Sequence, residues 1–184
     1  MTAEDYLLVK YLFLKNLMFE NIESFLSTNS ELAWIAIFVF AFLESFILSG
    51  VIVSSAILFS VCIFVYNMEL LSLYYIVPIA MLGAHSGDMA GFFFGKTLGP
   101  SLLRSDFFVK RQNMIEKAQS FLAKTGSYTV ILGRFVPAIR PIVPFLLGIS
   151  DLKATRFYFA DIIACVCWGI ALGFLVTGVG SILR

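Results

Sequence analysis

Ionisable residues are scarce in this chain. Asp, Glu, Lys and Arg supply 14% of its 184 residues, against about a quarter in an ordinary soluble domain. Neither sign dominates, since thirteen basic and twelve acidic side chains leave a formal charge of +1. No strong field and no basic tail is present to attract DNA or RNA, which excludes nucleic acid as a partner. There is one histidine, His85, and three cysteines, Cys62, Cys165 and Cys167, each inside an apolar run. Cys165 and Cys167 diverge on a helix and His85 lies in another segment, so the cysteines read as small buried hydrophobes. Neither a metal nor a cofactor is expected. The opening Met1-Thr2-Ala3-Glu4-Asp5 is acidic, and no small-residue cleavage site follows an apolar core. It does not read as a signal peptide, and the first residues are expected to be retained.

What fills the chain is apolar. Ala, Val, Ile, Leu, Met, Phe, Trp, Tyr and Cys make up 60% of it, 20 residues are Phe, and the mean hydropathy is +0.93. A soluble globule of this size could not hide that surface, so an all-α integral membrane protein is expected. Residues 1–30 do not supply a spanning helix: Lys10, Lys15, Glu20 and Glu23 interrupt them, which suits an amphipathic interfacial helix. From Leu32 to Tyr66 the chain holds one charge, Glu44, in a tract too long for one bilayer crossing and too short for two plus a connector. Leu48-Ser49-Gly50 and Ser54-Ser55 interrupt it. A re-entrant hairpin that turns inside the membrane fits that length.

A second interrupted tract lies at 127–149, where Pro137, Pro141 and Pro144 fall beside Arg134 and Arg140. No uninterrupted helix accommodates three prolines so placed. Each broken tract precedes a glycine-rich spanning helix. In the first, Gly83, Gly87, Gly91, Gly95 and Gly99 recur every four residues, a ridge that permits close backbone approach. In the last, at 157–183, Gly169, Gly173 and Gly178 give another small-residue face. The domain at 31–183 therefore divides into repeat one (32–99), a positively charged amphipathic linker (100–126) placed in the cytoplasm by its basic excess, and repeat two (127–183). The repeat is taken as inverted, although composition does not carry its sense. Interrupted segments in corresponding halves point to a transport site near the bilayer midplane.

Three blocks carry a family likeness. Gly133-Arg134-Phe135-Val136-Pro137-Ala138-Ile139-Arg140-Pro141, continuing to Gly148, is similar to the arginine signature of the DedA family of bacterial membrane proteins, a domain shared with eukaryotic lipid scramblases. The Gly83–Gly99 block with Gly87-Asp88 and Gly95-Lys96, and the stretch Phe42-Leu43-Glu44-Ser45, resemble two further motifs of that family. One triplet departs: where the family carries Pro-Gly-acid, this chain has Val53-Ser54-Ser55-Ala56, leaving Glu44 to act alone or with Asp88. Asp161 stands where relatives often carry Asn. The resemblance implies two re-entrant hairpins facing each other, and movement of a lipid phosphate across the bacterial inner membrane, with undecaprenyl phosphate the leading cargo. General phospholipid scrambling, a membrane-embedded lipid-phosphate enzyme and an assembly role are the alternatives.

The residues themselves support a site of that kind. A charge at the bilayer centre costs about 2.5–3.5 kcal/mol or more, so Arg134, Arg140, Glu44 and Asp88 need a reason to be there. Guanidinium stays charged and offers a planar fork of donors matched to phosphate oxygens, which makes Arg134 and Arg140 the substrate-binding candidates. A carboxylate in low dielectric takes up a proton more readily unless paired, which makes Glu44 and Asp88 the proton-coupling candidates. His85, three residues before Asp88, shares its helix face and is an auxiliary that could tune it. Pro137, between the arginines, and Asp161, expected to cap the last helix after the polar 150–156 loop, are further auxiliaries. An anionic lipid is the expected partner, catalysis is not expected, and a homo-oligomer is left open.

Overall fold

The computed structural model describes residues 21, 24–50, 55–102, 106–110, 113, 116, 120, 129–134, 139–150 and 152–183, and among them all regular structure is helical. Beyond a helical stretch at 24–28 and a single 3-10 turn at Ser30–Leu32, the helices are α1 (Ala33–Ser45), α2 (Ile47–Gly50), α3 (Ser55–Asn67), α4 (Leu73–Leu102), α5 (Asp106–Val109), α6 (Thr129–Arg134), α7 (Ile142–Ile149) and α8 (Ala154–Leu183). Most of the expected interfacial helix at 1–30 and of the basic linker lies outside the described residues. The linker begins later than its first proline suggests, because α4 runs through Pro100 to Leu102.

Both breaks have local causes. Helix α1 stops because Phe46 turns to extended backbone, at φ −75 and ψ 133. Ser49 Oγ then donates to the Leu43 carbonyl at 2.6 Å, satisfying an acceptor that the truncated helix would leave open. Gly50 packs its α-carbon against the Glu44 carbonyl, where any side chain would collide. At the second break Pro141 stands at the N-cap of α7 and Pro144 in its first turn, positions whose N–H groups no helix uses. The two breaks touch: a carbon on Gly50 would lie 2.8 Å from Pro141 Cβ. Helices α1 and α3 hold 13 residues each, about 20 Å at 1.5 Å per residue, short of a hydrocarbon core of about 30 Å. Helices α4 and α8 hold 30 residues each, and α8 is apolar enough to cross a membrane by length and composition.

Helix α4 is the shared support. Gly83 and Gly87 meet the α1 backbone at Phe38 and Phe42, with 2.6 Å from a Gly87 β-position to the Phe42 carbonyl. Two and three turns further on, Gly95 and Gly99 meet Phe145 and Ile149 of α7. The ridge therefore serves two partners, one from each broken tract. Two apolar clusters result, one around Ile37, Leu58, Val65 and Ile76, the other around Phe92, Phe145 and Phe157. In the second, Phe92 and Phe157 stack with centroids 4.5 Å apart. The exterior is apolar as well: Tyr74, Phe174 and Ile182 are among many exposed large side chains, as lipid solvent requires.

The glycine seams make a stability prediction. A β-carbon at Gly148 of α7 would enter the Phe92 carbonyl of α4 and lie 2.9 Å from the Lys96 nitrogen, so Gly148→Ala should cost about 1–3 kcal/mol. Gly178 has nothing within 4 Å, and Gly178→Ala should leave stability unchanged or raise it slightly. Thermal unfolding in detergent separates the two, and equal midpoints would contradict the assigned seam.

Candidate functional site

A polar layer lies at the junction of the two apolar clusters. Along α1 it follows Ala41 and precedes Ile47; along α4 it lies between Ala84 and Phe92. There Glu44, Ser45, Asp88, Arg134, Arg140 and Asp161 are all buried. The breaks bring them together, since α1 ends at Glu44-Ser45, α6 ends at Arg134, and Arg140 sits in the turn before α7.

The pairing is specific. Arg140 Nη1 donates to Glu44 Oε1 at 2.5 Å, and its Nη2 donates to Ser45 Oγ at 3.2 Å. Arg134 Nη1 donates to Asp88 Oδ2 and, at 2.9 Å, to Asp161 Oδ1. Acid–arginine pairs thus form across the two halves of the chain, Glu44 with Arg140 and Asp88 with Arg134. Asp161 departs from the expected cap. It lies two turns inside α8, buried, where it accepts from Arg134 and cannot reach the helix start at Ala154. His85 departs as well: its Nδ1 lies 2.7 Å from Asp161 Oδ2, so its bond goes to α8 rather than to Asp88. Its ring also packs edge-on against Tyr158 at 5.1 Å. Cys165, one turn beyond Asp161, holds the same oxygen at 3.6 Å. The cysteine and the histidine separated in sequence therefore share a carboxylate, while Pro137 lies outside the described residues.

Two contributors escaped the sequence reading. Ser45 is one, visible only as the neighbour of Glu44. The other is Trp168, whose ring centroid lies 4.8 Å from Arg140 Cζ and 5.6 Å from Arg134 Cζ. One indole ring thus stabilises two like charges in a low-dielectric layer. The signal was the stripe Asp161, Cys165, Trp168, spaced four and three on one helix face.

Three buried carboxylates face two guanidiniums, and the balance of hydrogen bonds is also incomplete. Glu44 Oε2, Asp88 Oδ1, Arg134 Nε and Nη2, and Arg140 Nε are buried without a partner among the described residues. Unsatisfied buried donors of charged groups are costly, so donors left open in pairs mark a surface for an anion. The guanidiniums border a cavity of about 360 Å³ whose remaining walls are mostly apolar. Charged donors thus stand at one end of a largely apolar cavity.

Known proteins match the chain at the level of family. The VTT domain model matches residues 51–178. The inner membrane protein YabI of Escherichia coli K12 is 29% identical over 147 residues, covering 80% of this chain and 58% of its own length. An uncharacterized membrane protein of Buchnera aphidicola from Acyrthosiphon pisum is 30% identical over 158 residues, covering 85% and 62%. Protein DedA of Escherichia coli K12 is 27% identical over 99 residues, covering 53% and 45%. The chain thus spans about three fifths of the length of the first two. No solved structure matches it. With the VTT model covering both guanidiniums, the glycine ridge and most of α8, the chain is a member of the VTT-domain (DedA) family of membrane proteins.

Proposed function

We propose that the protein is a multi-pass transporter of the bacterial inner membrane that moves a lipid phosphate, with undecaprenyl phosphate the best-fitting cargo. The observation that carries this reading is the pair of buried guanidiniums, each held by a carboxylate, with open donors beside an apolar cavity. Phosphate oxygens can take over the donors that the acids hold, because both are anionic acceptors that fit the guanidinium fork. In this reading the interrupted tracts are re-entrant hairpins of an inverted repeat, and their contact at Gly50 and Pro141 is the pivot. Proton uptake by Glu44, with Asp88 as second acid, releases the arginines to the cargo and couples transport to the proton gradient. The reading is of a carrier rather than an enzyme, since each of the three buried acids is held against a guanidinium.

Native mass spectrometry of the purified protein tests the cargo directly. A co-purifying polyprenyl phosphate supports the proposal; diacyl phospholipid alone turns it toward a general scramblase. Release of inorganic phosphate from the lipid would turn it toward an enzyme. In a binding assay Arg140→Ala should lose at least tenfold in affinity, the equivalent of about 1.5–3 kcal/mol for a lost charge-assisted pair. Arg156→Ala, an exposed arginine at the start of α8, should change little. Arg140→Lys should restore affinity only in part, because an ammonium has no bidentate fork. Equal affinities across the three variants would remove Arg140 from the site.

A further inference from the structure

The seams of this bundle are not alike. Helix α4 meets α1 and α7 through glycines that bring backbone onto backbone, and it meets α8 where Gly169 receives Met81. No lipid chain passes seams so close. The seam between α3 and α8 is close only at one end, where Gly180 meets Tyr66 and Asn67; the rest contains the 360 Å³ cavity, lined by side chains rather than glycines. Leu58 and Phe59 form its α3 wall; Trp168, Ala171, Leu172 and Leu175 form its α8 wall. The four α8 positions are spaced as i, i+3, i+4 and i+7, a single stripe along one face. They run about 10 Å from the guanidiniums toward the surface, where Leu175 is 54% exposed.

The slot is graded in polarity. At its inner end are Arg134 and Arg140, both more than nine-tenths buried, with Nε of each and Nη2 of Arg134 unpartnered. Away from Glu44 and the two guanidiniums its walls are apolar except for Ser55 at the start of α3 and the indole of Trp168, whose ring packs against the guanidiniums. A free anion would satisfy the inner end and leave the apolar walls empty. A neutral hydrocarbon would fill the walls and leave the donors open. An amphiphile with an anionic head and a hydrocarbon chain satisfies both.

Resting on the lipid-phosphate reading above, we infer that the seam between α3 and α8 is the lateral portal, through which the cargo's hydrocarbon chain extends from the guanidiniums into the bilayer. Ala171 is the residue that keeps it open. It is the smallest side chain of the α8 wall, placed one turn beyond Trp168, and its partial burial puts it inside the slot rather than at the rim. The chain lies across Ala171 and Leu172 on one side and Leu58 and Phe59 on the other, while its head exchanges with Glu44 for Arg140.

The test uses the full chain in lipid nanodiscs and hexadecyl phosphate carrying a mid-chain diazirine. Photolabelled peptides are mapped by mass spectrometry, with excess unlabelled hexadecyl phosphate or hexadecanol as competitor. Labelling within 55–67 and 168–175 that the phosphate displaces and the alcohol does not is the expected result. Labelling that only the phosphate displaces but that maps elsewhere, such as the exposed face of α4, overturns the portal and leaves the lipid-phosphate reading standing. Labelling that both competitors displace equally overturns the portal together with that reading. A second measurement uses Ala171→Trp, which fills the slot. It should weaken hexadecyl phosphate binding at least tenfold and leave methyl phosphate, too short to reach Ala171, within twofold of wild type. Equal weakening of both ligands, or of neither, counts against the portal, and if the variant does not fold the wild-type label map decides alone.

Discussion

Replacing Arg134 by methionine should destabilise the protein by about 3–5 kcal/mol, the largest effect expected of any single substitution in the polar layer. Removing one partner of a buried ion pair strands the other charge, and that stranding accounts for the cost. Arg134 is the only hydrogen-bonded guanidinium partner of two buried acids, Asp88 on α4 and Asp161 on α8, among the described residues. Its loss leaves Asp88 without its guanidinium partner and Asp161 with only His85 and Cys165, and unties α6 from the two long helices. Arg140→Met strands Glu44 alone and should cost less. Adding Asp88→Asn and Asp161→Asn to Arg134→Met should recover much of the loss, because neutral amides are far cheaper to bury than unpaired carboxylates. The measurement is the unfolding midpoint in detergent of the single and triple variants. A wild-type midpoint for Arg134→Met would mean that the pair is not formed in the folded protein.

That contrast assigns the arginines unequal tasks. Two acids from two helices clamp Arg134, whereas one acid and one hydroxyl hold Arg140. On the proposed reading, the weaker hold is the one an incoming phosphate would displace, with Arg140 the exchanging group and Arg134 the fixed one.

Glu44→Gln should separate binding from movement. Gln keeps the shape and an acceptor oxygen for Arg140 but removes the negative charge that competes with the cargo. Affinity for an anionic lipid should therefore be retained or rise by about tenfold, the size of one charge-assisted bond exchanged for a neutral one. Translocation should fall, because a site held in one charge state no longer alternates between capture and release. The response of transport to an imposed pH gradient should fall with it. The residue at position 56 is alanine, so no acid there stands in for Glu44, and Asp88 remains the other acid of the mechanism. Proteoliposomes report both quantities. Wild-type translocation and gradient response in Glu44→Gln would falsify the coupling role and leave Glu44 as a structural partner of Arg140.

How much of this was legible beforehand follows from what each feature costs. A charge in an apolar tract and prolines beside it are conspicuous in one dimension, so Glu44, Asp88, Arg134, Arg140 and both breaks could be read from the residues. The glycine spacing was equally plain, though not that its two ends serve different helices. Pairings across the fold were not legible. His85 and Asp88 are close in sequence and share a helix face, yet the imidazole reaches Asp161, 76 residues away. Asp161 resembled a cap because a polar loop precedes it; α8 starts earlier, at Ala154, and carries the acid inward. Trp168 was hidden for a different reason: an aromatic in an apolar helix looks like any other core residue until its neighbours are known.

The glycine ridge of α4 also has a mechanical meaning. Interlocking side chains act as teeth, and sliding one helix past another then requires them to disengage. A row of glycines has no teeth, so α1 and α7 ride on bare backbone at Gly83, Gly87, Gly95 and Gly99. The row repeats every four residues, about 6 Å along the axis. A helix displaced by one such step would again meet a glycine rather than an interlocking side chain. Discrete shifts of about one helical turn are a known form of two-state motion. Because both broken tracts ride on the same helix, a step taken by either would change the distance between Glu44 and Arg140.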